Sequence, residues 1–134
     1  MKTIKYIITF ILFVTPFLQG CQKASINGDL DGQWEVIEIS PEVENIEVDE
    51  RLFYNFYLHV CQLTYYGGYF LDGDMTFNGE TLWIDFPYEL ENKQLITLKQ
   101  YGINKNPVVF DVEFPSKNRL ILKNEDVMIV LKKF

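Results

Sequence analysis

Alternating apolar and polar positions recur along most of the chain after residue 31, and this period of two is typical of β-strands with one buried face. The first such stretch begins at Gln33 and ends at Ser40. The longest covers residues 52–66 and exceeds an ordinary strand, so we expect a bend or bulge near Gln62, or a break before Tyr65. Its two faces are Tyr54, Phe56, Leu58 and Val60 on one side, and Asn55, Tyr57, His59 and Cys61 on the other.

Two glycine-containing dipeptides further along predict tight hairpin turns. Asp72-Gly73 and Asn78-Gly79 supply residues that tolerate the positive φ angles of two-residue turns. In the segment that follows, the apolar residues Leu82, Ile84 and Phe86 share one face. Trp83 lies on the opposite face, so we expect it to point outward and to be available for contacts.

The last third of the chain combines one helix with three strands. Residues 92–101 have apolar positions three apart, and Gly102 suits the residue after a helix end, with Ile103 contacting Leu98. Alternation returns at 107–114, and the final segments 119–123 and 126–134 form a predicted hairpin. Short antiparallel strands joined by tight turns predict an all-β protein with one short helix, a small up-and-down β-barrel.

The first 20 residues have the composition of a secretory signal peptide. Lys2 and Lys5 give a basic start, an apolar run covers residues 6–18, and the small Gly20 precedes the expected cleavage point. The apolar run is shorter than the roughly 20 residues that a membrane-spanning helix needs. We therefore expect an exported chain with residues 1–20 as signal peptide.

The junction Leu18-Gln19-Gly20-Cys21 resembles the lipobox of bacterial lipoproteins. That resemblance implies that Cys21 becomes the first residue and carries fatty acyl chains such as palmitate, which anchor the protein to a membrane. Residues 21–30 are then a polar tether, and residues 31–134 the folded domain. Because Gln22 is not the Asp of inner-membrane retention, the expected location is the outer membrane, facing the periplasm.

Charge limits the possible partners. The chain has 12 basic and 19 acidic residues, and removing the leader takes away Lys2 and Lys5 but no acid. A domain this acidic is not expected to bind nucleic acid, whose phosphates require Lys and Arg. It is also not expected to hold anionic lipid by charge, so the acyl chains must supply the membrane affinity.

Gly32-Gln33-Trp34 matches the Gly-x-Trp that opens the first strand of lipocalins, and the whole chain resembles the small lipocalin-like bacterial lipoproteins. The resemblance implies a lipocalin-like barrel in which Trp34 packs across the closed end. A small barrel can enclose one apolar ligand or be filled by its own side chains, and the many large aromatic residues favour a filled interior.

Residue types that carry catalysis or bind metals are sparse. His59 and Cys61 lie two apart on one predicted strand, but two ligands do not make a metal site and no third residue completes a catalytic set. The acidic segment 41–50 lacks the spacing of a calcium loop and is expected to be solvated, with a cation or basic partner as the alternative. We therefore predict a non-enzyme with no metal and no cofactor.

Two functions remain open after these exclusions. The first is a structural or partner-binding role in the cell envelope, in which outward aromatic side chains contact another protein. The second is binding of a small apolar ligand inside the barrel or at its mouth. The candidate contact residues for either role are Tyr57, Tyr65, Tyr66 and Trp83.

Overall fold

The structure is a computed structural model that describes residues 26–41, 51–87 and 92–134, without the side chains of residues 92 and 93. Eight antiparallel strands form one closed barrel in which each strand pairs with its sequence neighbours. This confirms the predicted up-and-down β-barrel. The strands are β1 (Gly32–Ser40), β2 (Leu52–Tyr57), β3 (Val60–Tyr65), β4 (Gly68–Phe77), β5 (Thr81–Asp85), β6 (Val108–Ser116), β7 (Arg119–Lys123) and β8 (Met128–Lys133).

The first and last strands close the barrel. β1 pairs with β8 from Trp34 opposite Lys133 to Ser40 opposite Met128, with a bulge between Val36 and Glu38. Since each of the two strands also has a second partner, closure leaves neither with an unpaired edge.

The long stretch 52–66 is a hairpin, so the predicted break before Tyr65 is wrong. The irregularity predicted near Gln62 is present as a register shift between Leu63 and Thr64, where β3 pairs with β4. The chain turns at Leu58-His59, which places Phe56 opposite Cys61. Leu58 has a φ of 51°, in the left-handed region that hairpin turns usually give to Gly, Asn or Asp. Because a leucine occupies that place and apolar alternation continues through it, the sequence carries no turn signal there.

The predicted turn at Asp72-Gly73 is also wrong, because both residues lie inside β4. A Cβ at Gly73 would lie 2.9 Å from Ile84 Cγ2, so this glycine leaves room for inward side chains of β5 rather than forming a turn. The chain turns earlier, at Tyr66-Gly67, between β3 and β4. The predicted turn at Asn78-Gly79 is confirmed, and the Asn78 side chain accepts hydrogen bonds from the backbone N–H groups of Glu80 and Thr81.

The predicted helix is present as α1 (Asn92–Gln100). It ends in a Schellman motif, in which the Gly102 N–H donates to the Lys99 carbonyl and the Ile103 N–H to the Leu98 carbonyl, both at 3.0 Å. Gly102 has a φ of 84°, which a side chain would strain. The predicted stop at Gly102 is thus confirmed.

The core fills the inside of the barrel with large apolar side chains. Inward positions of every strand contribute, and Leu98, Tyr101 and Ile103 from α1 and its C-terminal end join the same cluster. The predicted inward faces of β5 and β6 are confirmed. The largest fully buried side chains are Trp34, Tyr54, Tyr101, Phe56, Phe86 and Phe110.

The barrel domain extends further toward the N-terminus than residue 31. Gly28–Leu30 form one turn of 3₁₀ helix, and Leu30 is fully buried in the core. Asn27 is also buried, with its side-chain amide bonded to Asp31. The leader, Cys21 and most of the acidic segment 41–50 lie outside the described residues.

Candidate functional site

The closed end of the barrel is sealed around Trp34. Its indole N–H donates to the Leu30 carbonyl at 2.8 Å, and Lys133 Nζ lies 4.6 Å from the ring centroid. The same Lys133 ammonium donates to the Asp31 carbonyl at 2.6 Å. Gly32 has a φ of 130°. A Cβ at this position would lie 2.7 Å from Lys133 Nζ, so the glycine leaves room for the lysine side chain. The Gly-x-Trp motif is therefore explained by packing and not by chemistry.

The opposite end of the barrel, which carries the α1 connection, is here called the open end. It is covered by Tyr101, which follows α1. The Tyr101 hydroxyl donates to the Thr64 carbonyl at 2.7 Å, and the Tyr54 hydroxyl donates to the Tyr101 carbonyl. The Tyr101 ring stacks on Phe70 with the centroids 5.8 Å apart and meets Tyr54 edge-on at 5.9 Å. Burial raises the pKa of the Tyr54 phenol well above its ordinary value, so the hydroxyl remains a donor.

His59 and Cys61 do not form a pair. His59 is exposed in the β2–β3 turn, whereas Cys61 is fully buried inside the barrel. Burial raises the pKa of the Cys61 thiol, and the nearby Asp72 charge raises it further, so the thiolate is strongly disfavoured. Within residues 26–41, 51–87 and 92–134, no group of three His, Cys, Asp or Glu side chains could hold a metal ion.

The four predicted contact residues are all exposed, but the fold separates them. Tyr57 precedes the β2–β3 turn at the closed end, while Tyr65 and Tyr66 lie at the β3–β4 turn at the open end. Trp83 lies on the outer wall, opposite Thr76 on β4 and Val109 on β6. The structure therefore brings Tyr65 and Tyr66 together and places the other two elsewhere.

The outer wall carries an aromatic cluster that the sequence pattern did not predict. Phe53 points outward on β2 yet is buried, because the ring of the last residue, Phe134, lies edge-on against it at 5.1 Å. The Arg51 guanidinium lies over both rings and also pairs with Glu35 at 2.7 Å. That hydrogen bond lowers the pKa of Glu35. The cluster holds the C-terminus against the wall.

A surface groove of about 410 Å³ is the candidate binding site in the described part of the chain. It begins where the pairing of β6 with β7 ends, at Asp111 opposite Lys123. Lys105 and Asp126 form a 3.1 Å ion pair across it. The hydrogen bond that Lys105 donates to the Asp126 carboxylate raises the pKa of Lys105. The groove is lined by Lys105, Pro107, Val108, Val109, Asp111, Lys123, Asn124, Glu125 and Asp126.

Trp83 adjoins this groove, because it pairs across the ladder with Val109, which lines it. Strand alternation correctly predicted that Trp83 faces outward, but it did not reveal the groove. Its lining comes from the segment before β6, from β6 and from the β7–β8 turn. No local pattern in the sequence joins these three segments, so only the fold reveals the site.

None of the helices in the described ranges has the length and apolar character that crossing a bilayer would require. No curated protein matches this chain. Among solved structures, a lipocalin-like protein from Bacteroides uniformis ATCC 8492 matches with a TM-score of 0.58 and 24% identity, covering 80% of this chain and 100% of that one. An uncharacterized protein from Bacteroides eggerthii DSM 20697 matches with a TM-score of 0.53 and 16% identity, covering 78% and 98%.

These two likenesses concern the fold, which is the same antiparallel barrel. A family model described as a lipocalin-like domain matches residues 15–134, which include every described strand and α1. This chain belongs to the lipocalin-like domain family.

Proposed function

We propose that this protein is a non-enzymatic binding module of the cell envelope, anchored by acylated Cys21, which contacts a protein partner through the groove beside Trp83. The observation that carries the proposal is the contrast between the two sides of the barrel wall. Inside, large aromatic side chains occupy the space, whereas outside an open groove of about 410 Å³ adjoins an exposed tryptophan.

The occupied interior argues against a large internal ligand. An eight-stranded barrel is just wide enough to be filled by side chains or to hold one small ligand. Here Trp34 closes one end, Tyr101 closes the other, and Tyr54, Phe56 and Phe110 lie between them, all essentially without exposure.

The chemistry of the groove suits a protein segment. Val108 and Val109 offer an apolar lining, with Trp83 beside Val109 on the neighbouring strand. The charged lining residues are Lys105, Lys123, Asp111, Glu125 and Asp126. Charges of both signs beside an apolar surface complement a peptide, which carries amides, charges and apolar side chains together. The volume lies in the range of about 300–1,000 Å³ that is usual for binding pockets.

Catalysis is not part of the proposal. The lipocalin-like family generally consists of non-enzymatic binding proteins. The described thiol, Cys61, is buried with a raised pKa and is unsuited to nucleophilic attack. We expect no cofactor and no nucleic-acid partner.

The location is part of the proposal and depends on Cys21. Two or more acyl chains anchor a protein stably, which the acidic domain could not achieve by charge. We propose the outer membrane, facing the periplasm, because Gln22 follows Cys21. Changing Cys21 to Ala should release the protein from the membrane fraction, and retention of the variant would contradict the anchor.

Cross-linking of the acylated mature protein in membranes of its own host tests the groove. The expected result is a defined cross-linked partner that is lost, by about tenfold, in Trp83→Ala. Tyr69→Ala is the matched control, since it removes another exposed aromatic side chain on a different strand. Equal capture by wild type and Trp83→Ala would contradict the groove as the contact site.

A second function, binding of a small apolar ligand, is favoured by the way the mouth is closed. Tyr101 lies at the end of α1, outside the β-sheet, so displacement of one segment would expose the aromatic interior. Native mass spectrometry of the protein purified from its host would detect a bound lipid. A co-purified lipid supports this second function, and its absence leaves the groove as the better site.

A further inference from the structure

The closed end of the barrel exposes apolar side chains at the place where the described part of the chain begins. Ile26 is 52% exposed, Tyr57 51% and Leu58 56%. The Asn27 side-chain amide donates to the Leu58 carbonyl at 2.8 Å, which fixes the start of the domain beside the β2–β3 turn. The three apolar residues, here called the closed-end patch, therefore lie at the same end of the molecule.

The conformation of Leu58 shows that this exposure has a cost. A leucine with a φ of 51° is uncommon, because bulky residues avoid the left-handed region. Gly, Asn or Asp would adopt the turn with less strain and without placing a large apolar side chain in water. Strain of this kind is a reason to look for a function of the residue involved.

The tether determines what can cover the closed-end patch. Four residues separate Cys21 from Ile26, so their Cα atoms are at most about 18 Å apart. Acyl chains on Cys21 would hold that residue at the membrane interface. The closed end is then the part of the barrel nearest to the lipid, while Tyr69 at the open end lies a full barrel length away.

The chemistry of the patch fits a bilayer interface. Tyrosine is enriched where one end of a side chain meets lipid and the other meets water, and Leu and Ile enter the boundary of the acyl chains. Arg119 and Lys132 lie opposite each other near the same end and suit lipid phosphates, although Asp29 and Glu80 offset part of that charge. Apolar contact is therefore the main attraction.

We propose that the closed-end patch of Ile26, Tyr57 and Leu58 rests in the interface of the membrane that holds Cys21, so that the open end and α1 face away from the lipid. This inference rests on the proposed acylation of Cys21. It adds an orientation of the barrel, which a flexible tether alone would not impose.

Fluorescence quenching in vesicles tests this orientation. The acylated mature protein, which begins at Cys21, is reconstituted into vesicles of phosphatidylethanolamine and phosphatidylglycerol with brominated acyl chains, which quench tryptophan on contact. Tyr57→Trp reports on the closed end, and Tyr69→Trp is the matched control, because Tyr69 is 56% exposed and lies at the open end. Both changes replace one exposed aromatic ring with another and leave the core untouched.

The expected result is that brominated lipid reduces the added emission of Tyr57→Trp about twofold and leaves that of Tyr69→Trp unchanged. Quenching of neither variant, of both equally, or of Tyr69→Trp alone would overturn the orientation. Flotation of wild-type protein with the vesicles is measured in parallel. If the protein floats but Tyr57→Trp is not quenched, the result supports the acyl anchor and contradicts the proposed orientation. If the protein does not float, both proposals are contradicted.

Discussion

The two ends of the barrel are closed in different ways. At the closed end, Trp34 lies in the first strand and is held by Leu30 just before it and by Lys133 in the last strand. At the open end, Tyr101 comes from a helical connection and is held by hydrogen bonds to β2 and β3. The first closure is built into the strands themselves, whereas the second is an addition that can be altered while the barrel remains intact.

Replacing Trp34 should have the largest effect on stability. Trp34→Ala removes the largest fully buried side chain and leaves the Leu30 carbonyl without its donor, so we expect a loss of about 4–5 kcal/mol in the free energy of unfolding. Urea denaturation measures it. Trp34→Phe keeps a ring and should lose clearly less. A smaller loss of unfolding free energy than that of Tyr101→Ala would show that the open end contributes more to stability than the closed end.

Replacing Tyr101 should have a smaller effect on stability but a larger one on access to the interior. Tyr101→Ala should lose about 3 kcal/mol, because α1 can settle into part of the space. It should also bind a hydrophobic dye that wild type does not. Tyr101→Phe keeps the ring, loses only the hydrogen bond to Thr64 at about 1 kcal/mol, and should bind no dye. Dye binding by both Tyr101→Ala and Tyr101→Phe would show that the aromatic ring alone does not close the open end of the barrel.

A change at Leu58 should stabilise the closed end slightly. Leu58→Asn relieves the left-handed strain while keeping the backbone carbonyl that Asn27 contacts, so we expect a gain of about 0.5 kcal/mol. Thermal denaturation would detect it, with His59→Asn as a control in the same turn. If the Asn variant is less stable, the exposed leucine contributes packing that outweighs its strain.

The smallest expected effect concerns pH and lies on the wall between the two ends. The hydrogen bond from Arg51 lowers the pKa of Glu35, so its contribution is fully present above the ordinary glutamate pKa of about 4.3 and is lost as the pH falls through the lowered pKa. Glu35→Gln should therefore flatten the acid limb of the stability curve. Since the pair is exposed, 1 M salt should weaken the difference, and an unchanged acid limb would contradict the assignment.

The sequence predicted most of the fold where alternation was clear and the turns had glycine or asparagine. β5, β6 and the C-terminal hairpin belong to this class, as does the helix stop at Gly102. It failed where residues serve a second purpose. Leu58 forms a turn without turn chemistry, and Gly73 is small because Ile84 and Phe86 need its space.

The candidate site was less predictable than the fold for a related reason. An outward residue such as Trp83 follows from strand alternation alone. The groove beside it requires knowing that β6 and β7 separate near Lys123 and that Lys105 reaches Asp126. These are contacts between distant segments, and no single stretch of sequence encodes them.

The pairing of β1 with β8 also has a consequence for how the chain folds. Trp34 pairs with Lys133, the residue before the last, so the final ladder joins opposite ends of the domain. Contacts so distant in sequence form slowly, because a long loop must be ordered before they are made. Until β8 is complete, β1 and β7 keep open edges that can pair with other chains. Removal of the last strand alone should therefore produce a protein that aggregates.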